Sequence, residues 1–194
     1  LKQFPTLSVE EVLSGRFQSN FESYTLDQFP LRDGFRSLKA LAVRDLFREK
    51  DNNGIYIADG YAAKLDYPLH EDSLDHAANR FRYVYETYLE GTGANIYLSV
   101  IPDKNYFLAA ENGYPAMDYE ALFSLMREKT DFAEYIDLTD TLSLPSYYRT
   151  DTHWRQEMLV PTVKALADAM GVSLTADFSE ITLDTPFYGV YRGQ

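Results

Sequence analysis

Apolar residues recur along this chain with two periods, and the change falls near residue 50. Before it they return every three or four positions, which is helical spacing. Ser8-Val9-Glu10-Glu11 is a capping box, with Ser at the cap and Glu three residues on, so a helix is predicted from there. Gly15 interrupts it, and the pattern resumes through Phe17, Phe21 and Tyr24 until Pro30. Asp27-Gln28-Phe29-Pro30-Leu31-Arg32 reads as a helix-to-helix corner, because a residue before proline is pushed out of helical geometry. A further helix is predicted from about Asp33 to Arg48, with Phe35, Leu38, Ala42 and Leu46 on one face. Asp51-Asn52-Asn53-Gly54 breaks it.

From Ile55 the period shortens. Ile55-Tyr56-Ile57, a turn at Ala58-Asp59-Gly60 and a strand from Tyr61 predict a hairpin. Glu71, Asp72 and Asp75 charge the first turn of a long helix as its dipole favours, and Gly91 and Gly93 stop it. Its apolar face runs from Leu74 through Phe81 to Leu89, and Tyr83, Tyr85 and Tyr88 read as core. The segment from Asn95 to Ile101 is the strongest strand, apolar almost throughout as a buried parallel strand is, and Pro102 ends it. A helix follows from Asp118 to Lys129, then a strand at Tyr135-Ile136-Asp137-Leu138. A last helix is expected from Trp154 to Met170, kinked at Pro161 and stopped by Gly171. Ile181-Thr182-Leu183 and Tyr188-Gly189-Val190-Tyr191 read as strands around Pro186. The alternation predicts an α/β fold with a mainly parallel sheet. It makes one domain over residues 1–194, with a helical lead-in over 1–50 and an α/β body over 51–194.

Composition narrows the chemistry. The 194 residues are enough to bury a core without staples. The net charge of −12 gives a surface that repels phosphate backbones and anionic membrane surfaces, so no nucleic-acid partner is expected. No apolar run approaches the roughly 18 residues a membrane span needs. The absence of cysteine removes disulfides, zinc–thiolate sites, iron–sulfur clusters and thiol nucleophiles together. A start at Leu1 without Met and a stop at Gln194 read as trimming at both ends, which a removed export signal explains at the first.

In open α/β sheets ligands bind beyond the carboxyl ends of the strands. That rule selects Pro102-Asp103-Lys104-Asn105, Asp137 to Asp140, and Tyr147-Tyr148-Arg149-Thr150-Asp151-Thr152-His153-Trp154. The third segment holds the single Trp and one of three His. In extended backbone residues two apart share a side, so Asp151 and His153 could face one pocket. A carboxylate beside an imidazole fixes its tautomer and makes it a useful general base. The competing reading is a polar helix start in which Asp151 or Thr152 is the cap. Lys104 and Arg149 are candidate anion contacts, with Tyr148 and Trp154 beside them as substrate-binding aromatics. His70 and His76 lack the i, i+4 spacing of a helical metal pair and read as solvated. Asp151, His153 and Glu157 fall short of a catalytic zinc set, so no metal and no cofactor is expected. A nucleophile is not marked: there is no Gly-x-Ser-x-Gly, Ser99 lies in the predicted buried strand, and Ser143 and Ser146 sit in a loop without distinguishing context. No GxGxxG or P-loop pattern supports a nucleotide site.

The segment Tyr147 to Trp154 resembles the DHHW family of bacterial exported proteins and the SGNH-hydrolase-like proteins of alginate O-acetylation, whose motif reads Asp-x-His-Trp. Asp27 to Arg32 is similar to the family's Asp-x-Phe-Pro-x-Arg element, Gly54 to Tyr61 to its Gly-hydrophobic-Gly hairpin, and Val100-Ile101-Pro102-Asp103-Lys104 to its Pro-Asp-Lys element. The resemblance implies a flavodoxin-like, SGNH-hydrolase-like three-layer sandwich, incomplete at the C-terminus. It makes Asp151 and His153 the catalytic acid and base. It implies export to the cell envelope and action on an acylated polysaccharide. Two departures stand out. Thr152 replaces the second His of the family name, and the residues after His153 hold Ser173 and Ser179 without a Gly-x-Ser context, so the expected nucleophile lies past Gln194 or is absent. A non-catalytic carbohydrate- or partner-binding module is the alternative.

Overall fold

The computed structural model describes residues 2–175, 179 and 181–193, with Asp33 described by its backbone alone; both chain ends, Leu1 and Gln194, lie outside the described residues. Two compact units emerge, Leu1–Glu49 with Gly193–Gln194, and Lys50–Arg192. The first is helical. Helix α1 (Val9–Leu13) starts where expected, with the Ser8 hydroxyl accepting the Glu11 N–H at 3.2 Å. Gly15, at φ 75°, turns the chain into α2 (Arg16–Asp27), and Arg16 reaches back to Glu10 and Glu11 at 3.0 and 3.1 Å. Phe4 packs edge-on against Phe21 and Tyr24. Helix α3 (Arg32–Leu41) continues as a π turn over Ala42–Leu46.

The second unit opens on the predicted hairpin, β1 (Ile55–Ala58) antiparallel to β2 (Tyr61–Lys64). Asp59 and Gly60 both have positive φ, 48° and 78°, which is the type I′ geometry that matches strand twist. The hairpin's Tyr56, Tyr61 and Ala63 form the core with Leu108 and Ala109. Tyr56 stacks on Tyr114 with ring centres 4.0 Å apart. Helix α4 (Glu71–Val84) runs on as a π turn over Tyr85–Leu89 and packs on α6 (Tyr119–Lys129), whose N-cap Asp118 accepts the Ala121 N–H. Arg82 of α4 donates to the Lys129 carbonyl and to Asp131. The expectation of a tyrosine core on α4 is corrected: Tyr83 and Tyr88 are exposed, and Tyr85 alone is half-buried, stacked on Phe132. His70 and His76 are exposed, as expected.

Strand β3 (Tyr97–Leu98) pairs parallel with β4 (Glu134–Tyr135), Leu98 opposite Tyr135. The parallel sense agrees with expectation but the length does not. Beyond Ile136 the partner turns away, because the Asp137 carboxylate captures both the N–H and the hydroxyl of Thr139 and starts a 3₁₀ turn. Residues 99–101 therefore have no strand to continue against, and the Ser99 hydroxyl donates to the Ile136 carbonyl. Among the described residues the result is a mixed α/β structure with two two-stranded sheets, one antiparallel and one parallel.

Three further expectations are corrected. A short helix, α5 (Asn105–Leu108), follows Pro102, where no helix was predicted. The last helix, α7, spans Val160–Ala169, after a separate 3₁₀ turn at Gln156–Met158. Pro161 lies in its first turn, where a missing N–H costs nothing, so it starts the helix and does not kink it. Residues 181–183 and 188–191 form no strand. The N–H groups of Gly189, Val190 and Tyr191 are spent on Thr150 and Asp151, which removes them from any ladder.

Candidate active site

Residues 147–154 form a closed loop. Tyr147 and Trp154 make an antiparallel bridge, the Tyr148 N–H donates to the His153 carbonyl at 3.1 Å, and the Arg155 N–H donates to the Ser146 carbonyl at 2.8 Å. The buried Tyr147 hydroxyl anchors the loop by donating to the Pro102 carbonyl at 2.5 Å. Within the loop the Asp151 Oδ1 accepts the His153 N–H at 3.0 Å and also contacts His153 Nδ1. This is an Asx turn, which Asp favours because its short carboxylate reaches the backbone two residues on. Asp151 and His153 do come together, through that turn and not through extended alternation. Neither Asp151 nor Thr152 caps a helix, since the N-cap of α7 is Leu159.

Asp151 is 3% exposed, whereas the His153 side chain is 79% exposed. Burial pushes the Asp151 carboxyl up, but the N–H groups of Val190 and His153 and the imidazole outweigh it and hold the acid at about 2. A buried carboxylate with that many donors stays ionised through the neutral range. With Nδ1 on the carboxylate, Nε2 is the nitrogen left to exchange a proton in the adjoining cleft. That cleft has a volume of about 660 Å³ and is lined by Tyr148, Thr152, His153, Trp154 and Phe187 among others.

Residues 188–191 strap the acid in place. The Gly189 N–H donates to the Thr150 hydroxyl at 3.0 Å, the Val190 N–H to Asp151 Oδ2 at 2.9 Å, and the Tyr191 N–H to the Thr150 carbonyl at 3.0 Å. A Cβ added at Gly189 would overlap the Thr150 carbonyl oxygen and the Asp151 side chain, so glycine is required here for space. Sequence reasoning missed Thr150, Phe187, Gly189 and Val190. The available signal was a glycine inside a strand-like run, which marks a close backbone approach.

Lys104 is buried, and its ammonium donates to the carbonyls of Ala62 and Tyr148, the latter at 3.1 Å, with the Tyr191 ring 5.3 Å away. Burial pushes it down to about 8, against the pull of Asp151 and Asp103. It is thus a bracket between β2 and the acid loop, and the Ala62 N–H to Arg149 carbonyl bond at 2.8 Å reinforces that bracket. Asp103 is held by the Tyr119 hydroxyl and the Asn105 N–H. Arg149 is exposed, with its guanidinium 5.7 Å from the Tyr61 ring centre. Tyr148 is half-buried against Phe187, ring centres 4.8 Å apart, and Trp154 is half-buried in the His153 cleft. The Glu157 carboxylate is paired with Arg155 at 2.6 Å.

The hydroxyls are placed as follows. Ser146 is buried in its own turn with Ser143, Ser179 lines a neighbouring cleft with Tyr148, and Ser173 is exposed. Among the described residues no serine or threonine hydroxyl is hydrogen-bonded to His153. No protein-family model, curated protein or solved structure matches the chain.

Proposed function

We propose that the chain is an SGNH-like acyl-ester hydrolase or transferase of the DHHW type, exported to the cell envelope, built on a flavodoxin-like scaffold and acting on an acetylated polysaccharide. The observation that carries this reading is the buried, triply held Asp151 on Nδ1 of an exposed His153, with Nε2 left for the cleft. In the reaction, Nε2 takes the proton of a hydroxyl, from water or a sugar, as its oxygen attacks the acyl carbonyl. The imidazolium is stabilised by Asp151 and returns the proton to the alkoxide as the ester C–O bond breaks. Tyr148, Trp154 and Phe187 supply apolar faces for sugar rings, and Arg149 is an anion contact at the rim of the neighbouring cleft.

The test is hydrolysis of p-nitrophenyl acetate and a panel of acetylated sugars by the chain and its His153→Ala variant. A general base contributes roughly 10²- to 10⁴-fold, so the variant should lose at least a hundredfold. An inactive chain, or an equally active variant, overturns the reading. The aromatic lining of the cleft also favours a second one, a glycan-binding module in which Asp151 and His153 make a structural hydrogen bond. Binding of unacetylated glycan that survives His153→Ala and is lost in Trp154→Ala identifies that case.

A further inference from the structure

The net charge is not spread evenly. Residues 1–49 carry seven Lys or Arg and seven Asp or Glu, so the whole of −12 falls on residues 50–194. Within the neutral segment, residues 32–48 hold five cations against two acids. Four of those cations, Arg32, Arg36, Lys39 and Arg44, lie on α3 and its π extension, the same element that carries a run of exposed large apolar side chains. Phe35, Leu38 and Leu41 are each more than half exposed, and Leu46 is 74% exposed.

Spacing sorts these residues into rows. Phe35, Leu38 and Ala42 follow i, i+3, i+7 and form the apolar row, which Leu46 extends. Arg32, Arg36 and Lys39 follow i, i+4, i+7 and form a basic row bordering it, since Lys39 is one turn from Phe35. An exposed apolar stripe bordered by long cationic side chains is the pattern of a helix lying in a lipid interface. Its apolar row sinks to the acyl boundary while the aliphatic stems of Lys and Arg reach up to anionic headgroups.

We propose that α3 with its π extension is a membrane-surface docking helix for an anionic bilayer. Charge complementarity selects this occupant, because a basic row beside an apolar one matches a surface that is negative above and hydrocarbon below. A second copy of α3 would set like charges together. The inference is independent of the chemistry at His153.

The test is flotation of the full chain with vesicles of phosphatidylcholine alone and of phosphatidylcholine with 30–40% phosphatidylglycerol (roughly the anionic content that gives a strong surface potential). Binding should occur on the anionic vesicles, fall with added salt and be weak on the neutral ones. Each cation removed should lower partitioning about fivefold, so Arg32→Gln/Arg36→Gln should fall roughly thirtyfold. Phe35→Ser/Leu38→Ser should abolish binding, with far-UV circular dichroism confirming an unchanged fold. No flotation with either vesicle, equal flotation with both, or charge-loss variants that bind like the native chain overturn the proposal. Concentration-dependent dimerisation that Phe35→Ser/Leu38→Ser removes, without vesicle binding, assigns the face to a second copy and also overturns it.

Discussion

Replacing Asp151 by Asn keeps the side-chain volume and removes one charge, and its cost can be worked in two ways. The carboxyl is held at about 2 against its ordinary 3.8, which corresponds to about 2–3 kcal/mol of native-state stabilisation at neutral pH. Alternatively, Asp151 accepts from the N–H groups of His153 and Val190 and from the imidazole. An amide offers one carbonyl, so its NH₂ must face at least one of those donors. One unsatisfied buried N–H costs about 1–3 kcal/mol. The two estimates agree, and urea denaturation at pH 7 should show Asp151→Asn destabilised by about 2–3 kcal/mol. The depressed acid also fixes a sign. Its contribution is fully present above the unfolded value near 4 and disappears as pH falls towards 2, so the native chain should lose stability through that window and the variant should lose less. The side-chain NH₂ facing Nδ1 should further shift His153 to the tautomer protonated on Nε2, readable from imidazole nitrogen shifts. A variant within about 0.5 kcal/mol of the native chain, with the same acid slope, would refute the account of Asp151 as a strapped, ionised acid.

Two other substitutions probe the same frame. Gly189→Ala should cost about 2 kcal/mol or more in urea denaturation, because its Cβ has no space against Thr150 and Asp151; an unperturbed midpoint would remove Gly189 from the site. Lys104 is depressed to about 8, so its charged form is disfavoured in the native state. Stability should therefore rise with pH from about 8 towards its ordinary 10.5, by about 1–2 kcal/mol over the first part of that range. Lys104→Met should flatten this slope, and a variant with an unchanged slope assigns the pH dependence to another group.

Local chemistry explains which parts of the structure were readable. The hairpin was legible because Asp59-Gly60 has one good solution, a two-residue turn with both φ positive. Helix α1 was legible from Ser8, whose cap forms, and α6 from the helical spacing of Leu122, Leu125 and Met126. The dyad was legible as a pair of residues but not as a geometry, because an Asx turn at Asp151, and not extended alternation, brings His153 onto the carboxylate. The strap was illegible. Tyr188 to Tyr191 has the composition of a strand, and nothing local reports that its N–H groups bond 39 residues upstream. Pro161 was misplaced because a proline reads alike inside a helix and in its first turn until the helix start is known.

The 39-residue span between Asp151 and its strap has a consequence for synthesis. A ribosome makes the acid, the imidazole and the aromatic cleft well before it makes Gly189 and Val190. Until that stretch leaves the exit tunnel, Asp151 lacks the Val190 donor and the loop lacks its cover. The pair is therefore completed only after residues 189 and 190 have been made, and a nascent chain arrested before Gly189 would carry Asp151 and His153 in its sequence without the strap that holds the acid.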